Sequence, residues 1–458
     1  MRLTDPTGAL ATGLAAIRTE FQVPGAFPQQ VLAAASETAR RAPTEHVDRT
    51  ALNFVTLDPA TSTDLDQAFA IQTAGANLIL NYAIADVAWF VPDDGAIDRE
   101  AWARGETLYL PDGKASLYPA AIGEAAASLL PDGPRPAINL IVRIDPDGNA
   151  TLAGAERAII RSRAKLAYDA VQPADLPPEF PELARRIAAA EAKRGAARVD
   201  PPEQEVAALP GGGYELLFRP RLPSEDSNAA LSLAANLAVA QALQAHRTGL
   251  FRVMPGPDKP AIQRLRHTAR ALRLTWSTGA PLTQFERTLD PADPHHAAMM
   301  LAIRRAGQGA TYAPYQDGVV PWHAAMAATY AHATAPLRRL ADRYVLRATL
   351  EIANGRPVPE MVTQAFARLP KVMARADALA GRIERAVLDL AETVLLADKI
   401  GQTFPAIVTD SGESGARIQL RDLPVIARLS EDAAPGTKLD VRLRAIDRAR
   451  RAIRFDRV

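Results

Sequence analysis

The sequence predicts an α+β protein in which strands and helices fall in separate blocks and a small barrel closes the chain. Three observations carry this. From Asn53 the chain runs through β-branched and aromatic stretches bounded by turn residues, NFVTLD, QAFAIQ and NLILNYAIADVAWFV, the pattern of strands. Helical periodicity then takes over in DSNAALSLAANLAVAQALQAHR and PAIQRLRHTARALRL, so the two periods do not alternate as βαβ units would. Residues 403–458 finally break into short alternating runs, FPAIVTD, ARIQLR, VIARL, KLDVRLRAID and AIRFDRV, which predict an antiparallel barrel of about five strands.

Residues 1–45 read as two helices, over 6–21 and 27–41, separated by the breaker-containing QVPGA. The pair resembles a helix-turn-helix, and it would serve equally as a helical cap on the main domain, because no base-reading residue can be named. A turn is predicted at 74–76, and the DPDG of RIDPDGNATL predicts a hairpin. Long helices are predicted over 334–354 and 358–402, separated by Gly355, Pro357 and Pro359. The expected units are therefore a helical 1–45, a central domain over 46–402 and a barrel over 403–458.

A chain of 458 residues with 48% hydrophobic content exceeds what a single core sustains. It has no cysteine, which excludes disulfides, thiolate zinc sites, iron-sulfur clusters and cysteine nucleophiles and leaves oxygen or imidazole as metal ligands. With seven histidines, carboxylates are the expected source. There is no apolar run of about 18 residues, and the start MRLTDPTGALATG lacks the basic-then-apolar layout of a secretory signal. A cytoplasmic protein without membrane contact is the expectation. The net charge of +1 does not mark a nucleic-acid partner. Residues 415–458, however, carry 11 Lys or Arg against 6 Asp or Glu, a local excess that suits a polyanion and that a solvated barrel face would also show.

In TLDPATSTDLDQA, the carboxylates of Asp58, Asp64 and Asp66 fall within nine residues, directly after an apolar strand. In an extended chain Asp64 and Asp66 point to one side. Like charges gathered this way call for a counter-cation, and magnesium, which takes hard oxygen ligands and keeps waters and substrate phosphates, suits such a loop. An Asx-rich turn between strands, or the D-x-D of a sugar-nucleotide transferase, would look the same.

The rest of the chain separates these readings. DRTALNFVTLDPATSTDLDQAFAI resembles the entry signature of the ribonuclease II/R (RNB) family, in which an R-x-D-L segment leads to a T-[IL]-D-P strand and a D-[FLM]-D-D motif. The resemblance continues in family order through IADVAWFV, IDREAWARGETLYLPD, IIRSRAKLAYDAVQ, FRVMPGPD and YAHATAPLRRLADR, from about residue 46 to 350. It implies a mixed sheet packed with helices, a terminal OB-like barrel that binds RNA, and 3′-to-5′ hydrolysis of RNA to nucleoside 5′-monophosphates. No small-molecule cofactor besides Mg2+ is implied.

Carried over residue by residue, the resemblance gives Asp58, Asp64 and Asp66 as metal ligands, with Asp64 and Asp66 also catalytic. Gln67 stands at the family's fourth aspartate, keeping one carbonyl oxygen as a ligand but losing a charge, so a one-metal or weaker two-metal site is expected. Arg338 in ATAPLRRLADR matches the arginine that stabilises the phosphate in the transition state. With Thr334 as N-cap and Pro336 in the first turn, it is expected near a helix N-terminus, itself an anion site. Arg339 is the second RNA-binding candidate, with Asp342 orienting one of the pair.

Tyr109 matches the aromatic that stacks on the 3′-terminal base, and Tyr168 one that touches RNA further along. Asn236 is the remaining RNA-binding candidate, and His332 is assigned no catalytic role. Val199 stands where the family has a phenylalanine, and Ala229 and Ala230 where it has paired glutamates, which relaxes the expected RNA-over-DNA preference. Where family members carry two cold-shock-like OB domains ahead of the catalytic block, this short form has the 1–45 segment. A more open approach is expected, and with it entry of structured as well as single-stranded RNA. The rival expectation is a catalytically impaired relative that binds RNA or a partner protein.

Overall fold

The predicted strands form, and one long strand ties them into a curved sheet. Strands β1 (Val47–Asp48), β2 (Phe54–Asp58), β3 (Gln67–Ala74), β4 (Asn77–Ala85), β5 (Leu108–Leu110), β6 (Gly113–Ala115), β7 (Pro134–Ile144) and β8 (Ala150–Ala167) precede the helical half. Six of them make one mixed sheet in the order β1-β8-β2-β3-β4-β7. With 18 residues, β8 pairs antiparallel to β7 from Ala150 to Arg161 and parallel to β2 from Ser162 to Ala167. The sheet therefore wraps back on itself, and β2 is buried from Phe54 to Leu57, as parallel neighbours covered on both faces require. A computed structural model of the chain describes residues 1, 3, 8–196, 203–209, 212–219, 221–290, 293–307, 309–412 and 415–458.

Both predicted turns are present. Ala74 pairs with Asn77, leaving a two-residue loop. Between β7 and β8, Gly148 has φ +78°, and a Cβ there would fall 2.2 Å from the Arg186 carbonyl, so only glycine fits. The run ADVAWFV departs from prediction: the strand ends at Ala85, and the Asp86 carboxylate accepts from the Trp89 N–H to cap a one-turn helix. A good N-cap outweighs the β-branched composition that follows it.

The α-helices are α1 (Ala9–Glu20), α2 (Gln29–Thr38), α3 (Val87–Phe90), α4 (Ala96–Arg104), α5 (Phe180–Arg194), α6 (Pro223–Ala245), α7 (Lys259–Ala271), α8 (Leu282–Glu286), α9 (Pro294–Ala306), α10 (Leu340–Ala353) and α11 (Glu360–Leu395). Apolar on nearly every side, α6 packs against β7, β8, α5 and α10 at the centre of the main core. The two N-terminal helices dock separately, α1 on α11 through Leu10, Leu14 and Ile17, and α2 on α4. The predicted 334–354 helix begins only at Leu340. Ahead of it the Ala335 and Leu337 N–H groups donate to the Asp342 and Asp66 carboxylates, so residues 334–339 form a turn, not a capped helix start.

Strands Thr403–Gly412, Gly415–Leu420, Ile426–Leu429, Lys438–Asp447 and Ala452–Arg457 close a barrel. One neighbouring pair, Leu429 beside Phe455, is parallel, which corrects the all-antiparallel expectation: directions cannot alternate around a ring of five. Glu392 on α11 anchors the barrel, its buried carboxylate accepting from the Ile426 N–H at 2.8 Å and the Gln204 amide at 2.7 Å. Among the described residues, no helix is long and apolar enough to cross a membrane.

Candidate active site

The aspartates are placed by the chain leaving β2. Asp58 ends that strand, and its carbonyl accepts from the Tyr168 N–H at 3.2 Å. Leu65 is fully buried and pinned on both sides, its N–H donating to Ser128 Oγ and its carbonyl accepting from the Leu129 N–H. Leu65 is turned into the core, with Asp64 and Asp66 on either side of it in the chain.

The second half of the site arrives from the 334–339 turn. The Leu337 N–H donates to Asp66 Oδ1 at 2.7 Å, and Arg338 Nε lies 3.6 Å from Asp66 Oδ2 with 44% of its side chain exposed. Residues 105–107 run beside this turn: the Thr107 N–H donates to the Arg338 carbonyl, and the Leu340 N–H to the Gly105 carbonyl. That pairing carries the β5–β6 hairpin to the aspartates. Tyr109 on β5 is 57% exposed and its hydroxyl donates to Asp64 Oδ2 at 3.3 Å. Tyr168 stands on the other side of Asp58, its hydroxyl accepting from the Asn228 amide at 2.9 Å.

Three expected site residues are committed elsewhere. Gln67 Oε1 accepts from the Tyr82 hydroxyl, Ser232 Oγ lies 3.1 Å from the same oxygen, and the Gln67 amide donates to the Thr334 carbonyl at 2.7 Å. The carbonyl oxygen expected to serve a metal is thus engaged inside the protein. Arg339, expected to reach RNA, turns inward and forks onto Asp342 at 3.0 and 2.8 Å; Asp342 orients this arginine, and Arg338 alone of the pair stays open. Asn236, also expected on RNA, is buried, its amide donating to Tyr330 and its carbonyl accepting from the Ala333 N–H. It braces the segment that leads into the turn. His332 is half-buried between Tyr312 and Tyr330, and desolvation of its ring holds it neutral. Ala229 and Ala230 lie near the start of α6, and Val199 lies outside the described residues.

The electrostatics fit a hard cation. Burial pushes Asp66 up to about 8, against the opposing pull of Arg338 and the Leu337 N–H. Burial likewise pushes Asp58 up to about 6, with Arg338 opposing and Asp64 adding to the rise. Among the described residues no hydrogen bond holds the Asp58 carboxylate in its charged form. A buried and a half-buried carboxylate that water and protein leave undercompensated are what a divalent ion would stabilise. No three His, Asp or Glu side chains among the described residues gather as a complete metal cage. Magnesium suits a two-carboxylate site, since it keeps waters and shares substrate phosphate oxygens.

Sequence reasoning missed Lys114 and Glu106. Lys114 Nζ lies 2.7 Å from Asp64 Oδ1; the signal was the PDG turn of LYLPDGKA, which sets Lys114 opposite Tyr109. Glu106 bridges to Arg339 along the backbone, and burial pushes its carboxyl up to about 7. Nothing in its local sequence marked it.

The RNB domain model matches residues 46–354, and the RNase II-type exonuclease C-terminal S1 domain model matches 402–458. Ribonuclease R of Thermotoga maritima is 26% identical over 452 residues, covering 91% of this chain and 62% of that protein. Exoribonuclease 2 of Haemophilus influenzae is 27% identical over 412 residues, covering 81% and 61%. The chain thus spans about three fifths of the length of these relatives. Among solved structures, Mycoplasma genitalium RNase R in complex with ribose-methylated single-stranded RNA superposes with a TM-score of 0.88 at 20% identity, covering 98% of this chain and 78% of that one. Its complex with double-stranded RNA gives 0.85 at 22%, covering 98% and 83%. Yeast Ssd1, described as a pseudonuclease, gives 0.69 at 16%, covering 96% and 57%. These likenesses establish a common fold. With the RNB model over most of its length and the S1 model over its barrel, the chain belongs to the RNB family.

Proposed function

We propose that the chain is a 3′-to-5′ exoribonuclease that hydrolyses RNA to nucleoside 5′-monophosphates, with magnesium held by Asp58 and Asp66 and Asp64 beside them. One observation carries this reading: the buried Asp66 carboxylate meets an exposed guanidinium, Arg338 Nε lying 3.6 Å from Asp66 Oδ2. A cation site and an anion-binding arm converge where a phosphodiester would sit. Relatives named ribonuclease R and exoribonuclease 2 support it.

Magnesium, when held there by Asp58 and Asp66, would supply charge stabilisation at a phosphate oxygen and a more acidic water. Arg338 forks onto the non-bridging oxygens and stabilises the charge that grows there as the bond breaks. Tyr109 stacks under the terminal base while its hydroxyl stays on Asp64, which fixes the last phosphate over Asp66. A water oxygen joins phosphorus, the P–O3′ bond breaks, and a proton ends on O3′ of the shortened strand. The basic barrel guides the strand by charge, without sequence preference. The wrapped sheet and barrel superpose on RNase R bound to single- and double-stranded RNA, which supports both as substrates.

A second reading, an RNA- or partner-binding protein without nuclease activity, is favoured by the engaged Gln67. Incubating 5′-labelled single-stranded RNA with the protein and magnesium, with EDTA, and with an Asp66→Asn variant separates the two. A ladder of shortened products, lost in both controls, supports the enzyme; tight binding with no shortening leaves the binding protein. A hairpin with a 3′ tail and a DNA oligonucleotide, run alongside, report on paired substrates and on the Ala229 and Ala230 departure.

A further inference from the structure

We propose that Lys114 is the site's built-in second cation: its ammonium neutralises Asp64 and leaves Asp58 and Asp66 to hold one divalent ion, not two. The inference rests on the reading above in taking these aspartates as the metal site. Lys114 on β6 is the cross-strand partner of Tyr109 on β5. Its Nζ lies 2.7 Å from Asp64 Oδ1, 3.0 Å from Glu124 Oε1 and 3.3 Å from Thr63 Oγ1. The other Asp64 oxygen accepts from the Tyr109 hydroxyl.

One hairpin therefore engages both oxygens of Asp64. A second ion would have to displace the ammonium from Oδ1, which Glu124 and Thr63 hold from the far side. Gln67 offers no substitute, because its carbonyl oxygen is engaged by Tyr82 and Ser232. Charge gives the same result: Asp58, Asp64, Asp66 and Glu124 carry four negative charges, and one divalent ion with Lys114 and the Lys165 that acts on Asp58 balances them, leaving Arg338 for the phosphate. A lysine ammonium suits the task, being a compact point charge with three donors. Lys114 is in these terms a positioning and charge-compensating residue.

Counting bound Mn2+ by the electron paramagnetic resonance signal of the free ion tests this without reference to RNA decay. The full chain and Lys114→Arg are expected to bind one ion, and Lys114→Met two, with circular dichroism confirming that each is folded. Should Lys114→Met not fold, Lys114→Gln carries the same expectation of two. Two ions in the unaltered protein, or one in the charge-removing variant, would overturn the role of Lys114. RNA shortening alongside two bound ions would overturn this role and leave the exoribonuclease reading standing. No bound ion and no shortening would overturn both.

Discussion

The backbone N–H of Leu337 donates to the buried Asp66 carboxylate at 2.7 Å, so the aspartate loop itself holds the turn that carries Arg338. A second carboxylate, Asp342, takes the Ala335 N–H at 2.8 Å. Arg338 is thus aimed by hydrogen bonds from its neighbours, not by a helix end. The Asp66 carboxylate and the turn that carries Arg338 are one mechanical unit, joined from opposite ends of the central domain.

Asp66→Asn separates charge from geometry. The amide oxygen can still accept from Leu337, so the turn should stay in place while the negative charge is lost. RNA shortening is expected to fall by at least about 100-fold, the usual effect of removing one charge-stabilising group. Single-turnover decay assays with saturating enzyme measure it, and retained binding of a labelled RNA confirms that the turn survived. Unchanged decay would remove Asp66 from the chemistry.

The two adjacent arginines should behave oppositely. Arg338→Ala removes an exposed group and is expected to slow turnover by roughly 100- to 1,000-fold with little change in stability. Arg338→Lys should restore little, because an ammonium cannot fork onto two oxygens. Arg339→Ala leaves Asp342 buried without its partner, and is expected to cost about 3–5 kcal/mol of stability. Denaturant midpoints and turnover measured on the same preparations distinguish the pair.

How far the sequence revealed the site depended on the kind of contact. Asp58, Asp64 and Asp66 were singled out because a charge cluster after an apolar strand is a local signal, and the barrel was legible because its strands alternate. Arg338 was found by its motif, but its setting was misread: Thr334 and Pro336 look like a helix start, and the two carboxylates that claim the nearby N–H groups are distant in sequence. The same blindness hid the roles of Gln67, Asn236 and Arg339. Each is polar and lies in or near a motif, and each proves to be held by partners from other elements. Local pattern cannot tell a side chain aimed at substrate from one satisfied within the fold.

Without metal, stability should fall as pH rises. In an unfolded chain an aspartate ionises at about 3.9, whereas burial in the fold holds Asp58 up to about 6 and Asp66 up to about 8. Below the unfolded value both states are protonated and nothing is lost. Above it the unfolded chain releases its protons first, so the folded state loses ground until Asp66 too has ionised. Urea midpoints in EDTA are therefore expected to decline between pH 5 and 8, and Asp66→Asn to flatten the decline. Magnesium should restore the lost stability at pH 8, because it binds the charged carboxylates only in the folded protein. An identical pH profile for both proteins in EDTA would show that Asp66 carries no such penalty.

Gln67→Asp tests whether the fourth position can be returned to a ligand. The substitution shortens the side chain and takes away the amide that donates to the Thr334 carbonyl, leaving that carbonyl without its partner. It also puts another negative charge beside Asp66. Both effects weaken the metal-free fold, and a loss of about 1–3 kcal/mol is expected in EDTA. Gln67→Glu keeps the length but not the amide donor, and should lose less because its longer carboxylate still reaches the Tyr82 and Ser232 hydroxyls. Magnesium is then the decisive variable. If the new carboxylate reaches the ion, calorimetry should give tighter binding than in the unaltered protein, and the stability loss should be recovered on saturation. If the Tyr82 and Ser232 hydroxyls keep position 67 turned inward, the loss persists with magnesium and the affinity is unchanged. The contacts at Gln67 favour the second outcome: the Tyr82 and Ser232 hydroxyls, which the substitution leaves in place, still offer two donors to a carboxylate turned inward.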